Sequence, residues 1–314
     1  MSLAIGIDIG GTKVAAGVVD AQGEIIEVIR RRTPSQDPAH IADVVVEIVN
    51  QLRVDHDVEA VGVGAAGFVN VERSTVLFAA NLAWRNAPIR DDIAERLNLP
   101  VIVENDANAA AWAEYRFGAG EEQSDLIVLT IGTGIGAGLI LDGKLFRGKF
   151  GLAGEPGHIR VVPGGRLCGC GNRGCLEQYC SGTALVGAAR EVARERPSDA
   201  VRLLDLAHGA VAGIDGPVVT KAAQEGDPAA VDCFDEIGRW LGQGLADLAA
   251  WLDPGRFVIG GGVGEAGELL LGAARETYGA VLSGRGYRPV AEVVPARLGA
   301  QAGLIGAADL ARQH

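Results

Sequence analysis

The chain reads IGIDIGGTKVAAGVVD at residues 5–20 and IVLTIGTGIGAGLILD at residues 127–142, and the two stretches align without a gap. Each consists of an apolar strand, a turn rich in glycine and threonine, a second apolar strand and an aspartate that starts the next turn. Such a pattern predicts a strand hairpin. Because it returns after 122 residues, we predict one α/β unit that is used twice, with a boundary between residues 107 and 124.

Apolar periodicity predicts the elements around these hairpins. Strands are predicted at Leu3–Ile9, Val14–Val19, Glu24–Arg30, Glu59–Ala66, Val101–Glu104 and Phe257–Val263, the last running into a glycine loop, and helices at 38–53, Pro88–Leu97, Ala107–Phe117, Pro228–Leu252 and Gln301–Arg312. A length of 314 residues predicts two domains. We place a smaller α/β domain at residues 1–107, with the last helix (301–314) packing back on it, and a larger one at 108–300.

Three glycine-rich turns follow apolar strands, at Gly10–Lys13, Gly132–Gly136 and Gly260–Gly264. Such turns expose backbone N–H groups to anions, and two threonines add hydroxyl donors. The third turn opens a helix, whose N-terminus favours negative charge. We predict a nucleotide site in which the first two turns hold the polyphosphate and the third holds the nucleoside end. For a single turn, the alternative is that glycine only closes a tight hairpin. The candidate nucleotide-binding residues are Gly10, Gly11, Thr12, Lys13, Gly132, Thr133, Gly134, Gly261 and Gly262.

Residues 155–177 read EPGHIRVVPGGRLCGCGNRGCLE and bring one imidazole and three thiols close together in the chain. Structural zinc takes four such ligands, and the interspersed glycines allow a tight loop. We predict a zinc site formed by His158, Cys168, Cys170 and Cys175. Disulfides are the alternative, although the chain shows no export signal and cytosolic thiols stay reduced. On spacing alone, Cys180 is a rival fourth ligand.

Two carboxylates, Glu155 and Glu177, stand at the ends of this stretch. A metal that holds His158 and Cys175 would also hold these neighbours. Paired carboxylates beside a fixed imidazole can bind vicinal hydroxyls, as a sugar requires. The alternative is that both are ordinary solvated glutamates.

Composition narrows the possible partners. The formal net charge of -12 argues against nucleic acids and anionic membranes, which require a basic face. The longest uncharged run, at residues 126–141, is shorter than a membrane helix needs and contains glycine and threonine. The N-terminus shows no basic and apolar leader, so we expect a cytoplasmic protein.

Three motifs, DIGGTK at residues 8–13, EPGH at 155–158 and CGCGNRGCLE at 168–177, resemble the ROK family of repressors, open reading frames and sugar kinases. The resemblance runs the length of the chain. It implies an actin-like fold of two ribonuclease-H-like domains with a cleft between them, which suits the repeat. It also implies transfer of the γ-phosphoryl group of ATP to the 6-hydroxyl of glucose. Family repressors carry a helix-turn-helix before the first glycine loop, which this chain reaches by residue 10, so we expect a kinase.

The resemblance also implies individual site residues. It places the catalytic base on Asp106, and it is the reason to prefer His158 to Cys180 as a zinc ligand. Mg²⁺ would be bound by the nucleotide phosphates, with Asp8 as a water-mediated support, and the second ring nitrogen of His158 would face the sugar. Family members are commonly homodimers or homotetramers. The implied sugar contacts are Gly67, Asn81, Asn105, Asp106, Glu155, His158 and Glu177.

Several alternatives stay open at this point. Asp106 precedes a predicted helix and could be its N-cap, and Asp8 could simply end a strand. The substrate could be fructose, mannose or an N-acetylated hexosamine, and the donor could be polyphosphate. A catalytically silent sugar sensor or an actin-like assembly protein is a different class, against which the intact Asn105-Asp106 pair and the complete zinc ligands argue.

Overall fold

The computed structural model describes residues 2–35, 37–79 and 82–313. The chain divides into two compact units: unit 1 comprises Met1–Val128, Ala137–Gly154 and Arg297–His314, and unit 2 comprises Leu129–Gly136 and Glu155–Ala296. In the described ranges, no helix is both long enough and apolar enough to cross a membrane.

Strands and helices alternate along much of the chain. The strands are β1 (Leu3–Ile9), β2 (Lys13–Val19), β3 (Ile25–Arg32), β4 (Val58–Ala65), β5 (Phe68–Val69), β6 (Val76–Phe78), β7 (Arg85–Ala87), β8 (Val101–Asn105), β9 (Leu126–Ile131), β10 (Ile135–Leu141), β11 (Lys144–Phe146), β12 (Arg256–Gly260) and β13 (Glu292–Pro295). The helices are α1 (Pro38–Leu52), α2 (Ile89–Leu97), α3 (Asp106–Phe117), α4 (Glu177–Cys180), α5 (Gly182–Glu195), α6 (Val201–Leu206), α7 (Gly216–Gln224), α8 (Pro228–Leu252), α9 (Gly261–Gly264), α10 (Glu268–Val281) and α11 (Ala302–Arg312). β1 and α8 have the predicted bounds.

Unit 1 contains a five-stranded sheet in the order β3-β2-β1-β4-β8. The hairpin strands β1 and β2 pair antiparallel, whereas β1 pairs parallel with β4, and β4 with β8. The carboxyl ends of these three parallel strands therefore lie at one edge of the sheet, which is where open α/β sheets bind ligands. Asp8 lies near the end of β1 and Asn105 ends β8, so the sheet brings the two to the same edge.

The two faces of this sheet carry different cores. Ile5, Ile7 and Ile9 belong to a cluster with α1 and α2, and Ala4 belongs to a cluster with α3 and α11. This alternation is the period of two that a strand imposes on its side chains.

Two glycines allow α11 to lie directly on the sheet. A Cβ at Gly6 would lie 1.9 Å from the backbone oxygen of Leu304, and one at Gly62 would lie 1.8 Å from that of Ala307. Any larger residue at either position would push α11 off the sheet. The last helix is thus part of the packing of unit 1.

A second five-stranded sheet has the order β11-β10-β9-β12-β13, with β10 and β11 antiparallel and β12 and β13 parallel. Strands β5, β6 and β7 form a small antiparallel sheet. In unit 2 the long helix α8 packs along α10, and a Cβ at Gly242 would lie 2.4 Å from the Ala274 oxygen. Small residues therefore set the close approach of these two helices.

Several predicted bounds shift by one or two residues. The strand predicted to run into the third glycine loop within Phe257–Val263 does so: β12 ends at Gly260, and α9 begins at Gly261, which has a φ of +80°. The strand predicted at Glu24–Arg30 extends to Arg32, which pairs with Lys13 of β2. α3 begins one residue earlier than predicted, at Asp106.

The compact units also divide the chain differently from the predicted boundary at residue 107. Residues 108–128 and 137–154 belong to unit 1. One reason is that α3 packs on α11, where a Cβ at Gly306 would lie 1.8 Å from the Ala109 oxygen. Another is that Arg147 donates hydrogen bonds to two carbonyls of the β5–β6 turn.

Candidate functional site

Asp106 lies at the carboxyl edge of the unit 1 sheet, where β8 ends and α3 begins. Asn105 is the N-cap of α3, since its side-chain oxygen accepts the Asn108 N–H at 3.0 Å. The Asp106 carboxylate accepts the N–H of Ala107, also at 3.0 Å. The capping role that the sequence left open for Asp106 is therefore filled by Asn105.

The environment of Asp106 raises the pKa of its carboxyl group to about 6. Burial is the first cause and the negative charge of Asp8 is the second, while the hydrogen bond from the Ala107 N–H lowers the pKa. Burial also raises the pKa of Asp8, and the positive charge of Lys13 lowers it. A carboxylate with a pKa of about 6 is ionised at neutral pH and is basic enough to accept a proton there.

Glu104, the residue before Asn105 and Asp106, is fully buried at the centre of an ion-pair network. Its carboxylate accepts the Asn105 N–H at 2.9 Å and lies 3.1 Å from Arg73 Nε and 2.9 Å from Arg147 Nε. Buried ion pairs hold their geometry tightly because breaking one leaves an unpaired charge. The network therefore fixes the strand end that presents Asp106.

The first glycine turn joins β1 to β2. The Gly10 N–H donates to the Lys13 carbonyl at 3.0 Å, which closes the turn. Thr33 braces it, donating from its hydroxyl to the Gly10 carbonyl at 2.7 Å and from its N–H to the Thr12 carbonyl at 3.1 Å. Thr12 and Lys13 are exposed and Gly11 is partly so. The turn thus presents an ammonium group and a hydroxyl next to Asp8.

Unit 2 contains a cavity of about 1280 Å³ that is bordered by the other two glycine turns. Gly132 and Thr133 come from the β9–β10 turn, Gly262 from α9, and Gly182 and Thr183 from the first turn of α5. The Gly182 N–H donates to the Gly132 carbonyl and the Thr183 hydroxyl to the Thr133 carbonyl, both at 2.7 Å. The N-terminus of α5 is thereby fixed against the turn, which favours an anion at this end of the cavity.

Five residues at these places were not predicted from the sequence. Thr183 lines the cavity and could have been found from the Ser181-Gly-Thr helix start, since Ser181 caps α5. Arg190 and Lys221 line the same cavity from α5 and α7, but basic residues on helices carry no sequence signal of their own. Arg147 and Arg73 were not predicted either. Glu104, an acidic residue inside the apolar run Val101–Asn105, does indicate that a buried partner of opposite charge must exist.

The predicted zinc ligands come together in unit 2. One donor atom from each of His158, Cys168, Cys170 and Cys175 lies within 4.8 Å of the others. Cys168 Sγ is 3.7 Å from His158 Nδ1, and Cys170 Sγ is 3.7 Å from Cys175 Sγ. Tetrahedral zinc with Zn–S bonds of about 2.3 Å separates two sulfurs by roughly 3.8 Å. The four donors therefore fit a zinc ion.

Two alternatives were open for the cysteines: disulfide bonds, and Cys180 in place of His158 as the fourth ligand. All five cysteines lie in the described part of the chain and are free thiols. Cys180 is fully buried in α4 and does not belong to the group of converging donors among the described residues. Burial raises the pKa of its thiol, and the negative charge of Glu177 adds to the shift.

The remaining predicted sugar residues are distributed over both units. Glu155 precedes the short 3₁₀ turn Pro156–His158, and Glu177 begins α4 and accepts the Ile135 N–H at 3.0 Å. In unit 1, the Gly67 carbonyl accepts the side-chain N–H of Asn105 at 3.1 Å. Asn81 lies outside the described residues. The structure thus groups Gly67 with Asn105 and Asp106, and Glu155 with His158 and Glu177.

Known proteins with similar sequences and folds cover the whole chain. The model of the ROK family matches residues 4–314. A glucokinase of Streptomyces coelicolor is 52% identical over 100% of this chain and 98% of its own length. The crystal structure of a ROK family glucokinase from Streptomyces griseus, in complex with glucose and AMPPNP, superimposes with a TM-score of 0.92 at 54% identity and covers 100% of both chains. A ROK hexokinase from Thermus thermophilus gives 0.80 at 34% identity, covering 99% of this chain and 98% of the other.

Proposed function

The chain belongs to the ROK family, and we propose that it is a glucokinase, which transfers the γ-phosphoryl group of ATP to the 6-hydroxyl of glucose. The observation that carries the proposal is the Asp106 carboxylate, held at the carboxyl edge of a sheet with its pKa raised to about 6. Full-length similarity to glucokinases supports the choice of substrate.

Asp106 acts as the general base. Phosphoryl transfer requires mainly positioning and charge stabilisation, so the base need only accept the proton of the attacking hydroxyl as the bond to phosphorus forms. The ion-pair network of Glu104 fixes the end of β8, directly before the base, and Asn105 fixes the first turn of α3. The proton ends on the carboxylate oxygen of Asp106 and leaves to solvent after product release.

The residues proposed to contact the sugar are those that the family resemblance implies. In unit 1, the sugar is contacted by the amide of Asn105, the backbone at Gly67 and Asn81. On unit 2, Glu155 and Glu177 accept hydrogen bonds from sugar hydroxyls, as ionised carboxylates are acceptors only. His158 would use Nδ1, the nitrogen beside Cys168 Sγ, for a metal and Nε2 for the sugar.

The nucleotide is bound at the glycine turns. The β9–β10 turn and the N-terminus of α5 hold the phosphates in unit 2, and the cavity between α5, α7 and α9 receives the nucleoside. Gly10–Lys13 serves the phosphates in unit 1. When bound with ATP, Mg²⁺ neutralises phosphate charge, and Asp8 would support it through water. Gly261, with a φ of +80°, gives the third turn its sharp backbone path, and Gly262 lines the cavity.

A zinc ion held by His158, Cys168, Cys170 and Cys175 would be structural. All four ligand positions would then be filled by protein atoms, so the ion would have no open position for chemistry. Its contribution is to fix the loop that ends in Glu177.

A donor and acceptor panel tests the proposed activity. ADP release should be measured with glucose, fructose, mannose and N-acetylated hexosamines, and glucose should give the highest kcat/KM. Glucose phosphorylation should be supported by ATP and not by inorganic polyphosphate. A higher kcat/KM for another sugar would identify a different sugar kinase, and glucose binding without ADP release would identify a sugar sensor.

The β9–β10 turn can be tested at Gly132. A Cβ there meets no atom of the described residues within 4 Å, so a side chain fits the fold but enters the cavity. Gly132→Val should raise the KM for ATP by about tenfold or more and leave glucose affinity, measured by calorimetry, nearly unchanged.

The control for this variant is Gly279→Val. Gly279 lies in α10, where a Cβ also meets nothing within 4 Å in the described chain, and it does not line the cavity. The control should keep the wild-type KM for ATP. If Gly132→Val keeps it too, the turn does not belong to the nucleotide site. Gly134 is unsuitable for this purpose, because a Cβ there would lie 2.3 Å from Glu177 Oε2.

A further inference from the structure

The carboxylate of Glu177 contacts two segments that are far apart in the sequence. Its Oε2 accepts the N–H of Ile135, the first residue after the Gly132–Gly134 turn, at 3.0 Å. Its Oε1 faces the cysteine loop, 3.8 Å from Cys168 Sγ. One side chain therefore spans from the predicted zinc loop to the turn that borders the cavity.

Gly134 shows that the turn is shaped around this carboxylate. A Cβ at Gly134 would lie 2.3 Å from Glu177 Oε2, and the next nearest atoms are Cδ and Oε1 of the same side chain, at 3.2 and 3.9 Å. The φ of Gly134 is outside the left-handed region, so the backbone itself would accept a side chain. The need for glycine at this position comes from the closeness of the carboxylate.

The EPGH turn, residues 155–158, also packs against Ile135 and Glu177. A Cβ at Gly157 would lie 2.9 Å from the Ile135 carbonyl oxygen and 3.6 Å from the Glu177 Cβ. Ile135 is thus held between the two ends of the stretch that carries the predicted zinc ligands. A shift of that stretch would move the β9–β10 turn with it.

We propose that Glu177 is a positioning residue for the phosphate-binding turn, in addition to its contact with the sugar. An ionised carboxylate can accept several hydrogen bonds, and one with an ionised acceptor is stronger than a neutral one. Oε2 holds the turn through Ile135, while Oε1, which also faces Cys168 Sγ, can accept a second hydrogen bond from a sugar hydroxyl. The inference rests on the proposed function, since it takes the cavity as the nucleotide site.

A consequence is that Glu177 contributes to nucleotide binding even without sugar. A residue that only contacted glucose would not. Because coupling between two ligands is reciprocal, any factor by which glucose changes AMPPNP affinity through this carboxylate should equal the factor by which AMPPNP changes glucose affinity.

The test is the affinity for the non-hydrolysable analogue AMPPNP in the absence of sugar, measured by calorimetry. Glu177→Ala removes the acceptor and should weaken this affinity by about tenfold. Glu177→Gln keeps an oxygen of the same reach and should weaken it by less than about threefold. Melting temperature and bound zinc are recorded for each variant, so that a general loss of the loop is recognised.

Gly134→Ala approaches the same contact from the turn. Its methyl group displaces the carboxylate, so sugar-free AMPPNP affinity and nucleotide-free glucose affinity should both fall. In the Glu177→Ala background there is no carboxylate to displace, and the second change should add almost nothing. Independent, multiplying effects would show that Gly134 acts on the nucleotide directly and would overturn the proposal.

Two outcomes separate this inference from the proposed function. In the first, the wild-type protein phosphorylates glucose, and Glu177→Ala loses glucose binding but keeps AMPPNP affinity within about twofold. This result refutes the positioning role alone. A wild-type protein that binds neither ligand refutes the proposed function first. If Glu177→Ala does not fold, Gly134→Ala decides by itself: unchanged glucose affinity contradicts the proposal.

Discussion

Replacing Asp106 by Asn should lower kcat by about 10²–10⁴-fold, the usual contribution of a positioned general base. The amide keeps the size of the side chain and an oxygen that can accept the Ala107 N–H, as the carboxylate does at 3.0 Å. It cannot accept a proton from the sugar hydroxyl. Glucose and ATP affinities, measured separately by calorimetry, should change little, because the loss falls on the transition state.

The stability of the same variant has a predictable sign. The pKa of Asp106 in the fold, about 6, lies above its ordinary value of 3.8, so the folded protein binds the proton more tightly than the unfolded chain. Ionisation therefore costs stability as the pH rises between these values. Asn carries no charge, and Asp106→Asn should unfold at pH 8 at the wild-type temperature or above it.

Asp37→Ala is the matched control for a lost helix cap. The Asp37 side chain caps α1 by accepting the His40 N–H at 3.2 Å, and its loss should cost about 1 kcal/mol of stability without lowering kcat. If Asp106→Asn resembled this control, with a lower melting temperature and an intact kcat, Asp106 would be a structural residue and not the base.

The pH dependence should report the same carboxylate. Because only the ionised form accepts a proton, wild-type kcat/KM should rise with pH through about 6. Asp8→Asn removes a negative charge that raises the pKa of Asp106, so the rise should move to lower pH. Profiles recorded with saturating ATP would show this shift, and an unmoved limb would mean that the two carboxylates do not interact.

The repeat at residues 5–20 and 127–142 was sufficient to predict two strand hairpins, each part of an α/β unit. Family membership and the actin-like fold are confirmed by the comparisons. Period-two strands and glycine turns are local signals, and so are the bounds of a long helix such as α8. The four residues predicted to bind zinc lie within one stretch of sequence, and their donor atoms converge as that prediction requires.

The sequence could not predict features that depend on distant contacts. The division near residue 107 differs from the compact units because α3 packs on α11, nearly 200 positions away in the chain, through the contact of Gly306 with Ala109. Glu104 gave no hint of which arginines it meets. The cap of α3 was assigned to Asp106 as an alternative because two adjacent residues, Asn105 and Asp106, are both good caps. A homodimer or homotetramer and a cytoplasmic location stay predictions.

Removing the zinc proposed for the cysteine loop should abolish sugar binding. Backbone hydrogen bonds such as that from the Cys168 N–H to the Asn172 carbonyl shape the loop from Cys168 to Cys175, but only a metal would tie its three thiols to His158. Glu177, two residues further on, depends on that loop for its position. A displacement of about 1 Å can cost on the order of 10²-fold in rate. A chelated preparation should therefore lose glucose phosphorylation and glucose affinity, and zinc with no other addition should restore them.

Cys175→Ser and Cys180→Ser form the matched pair for this prediction. Both thiols are fully buried, but only Cys175 belongs to the converging donors. Cys175→Ser should lose the single zinc per chain and at least about 10²-fold in kcat/KM for glucose, whereas Cys180→Ser should keep the metal and most activity.

Zinc content is measured by mass spectrometry, and hydrogen exchange should show the Gly10–Lys13 turn, which belongs to unit 1, still protected in the metal-free protein. Because the cysteine loop is the link between the metal and Glu177, a metal-free protein that binds and phosphorylates glucose normally would show that this loop does not organise the sugar site.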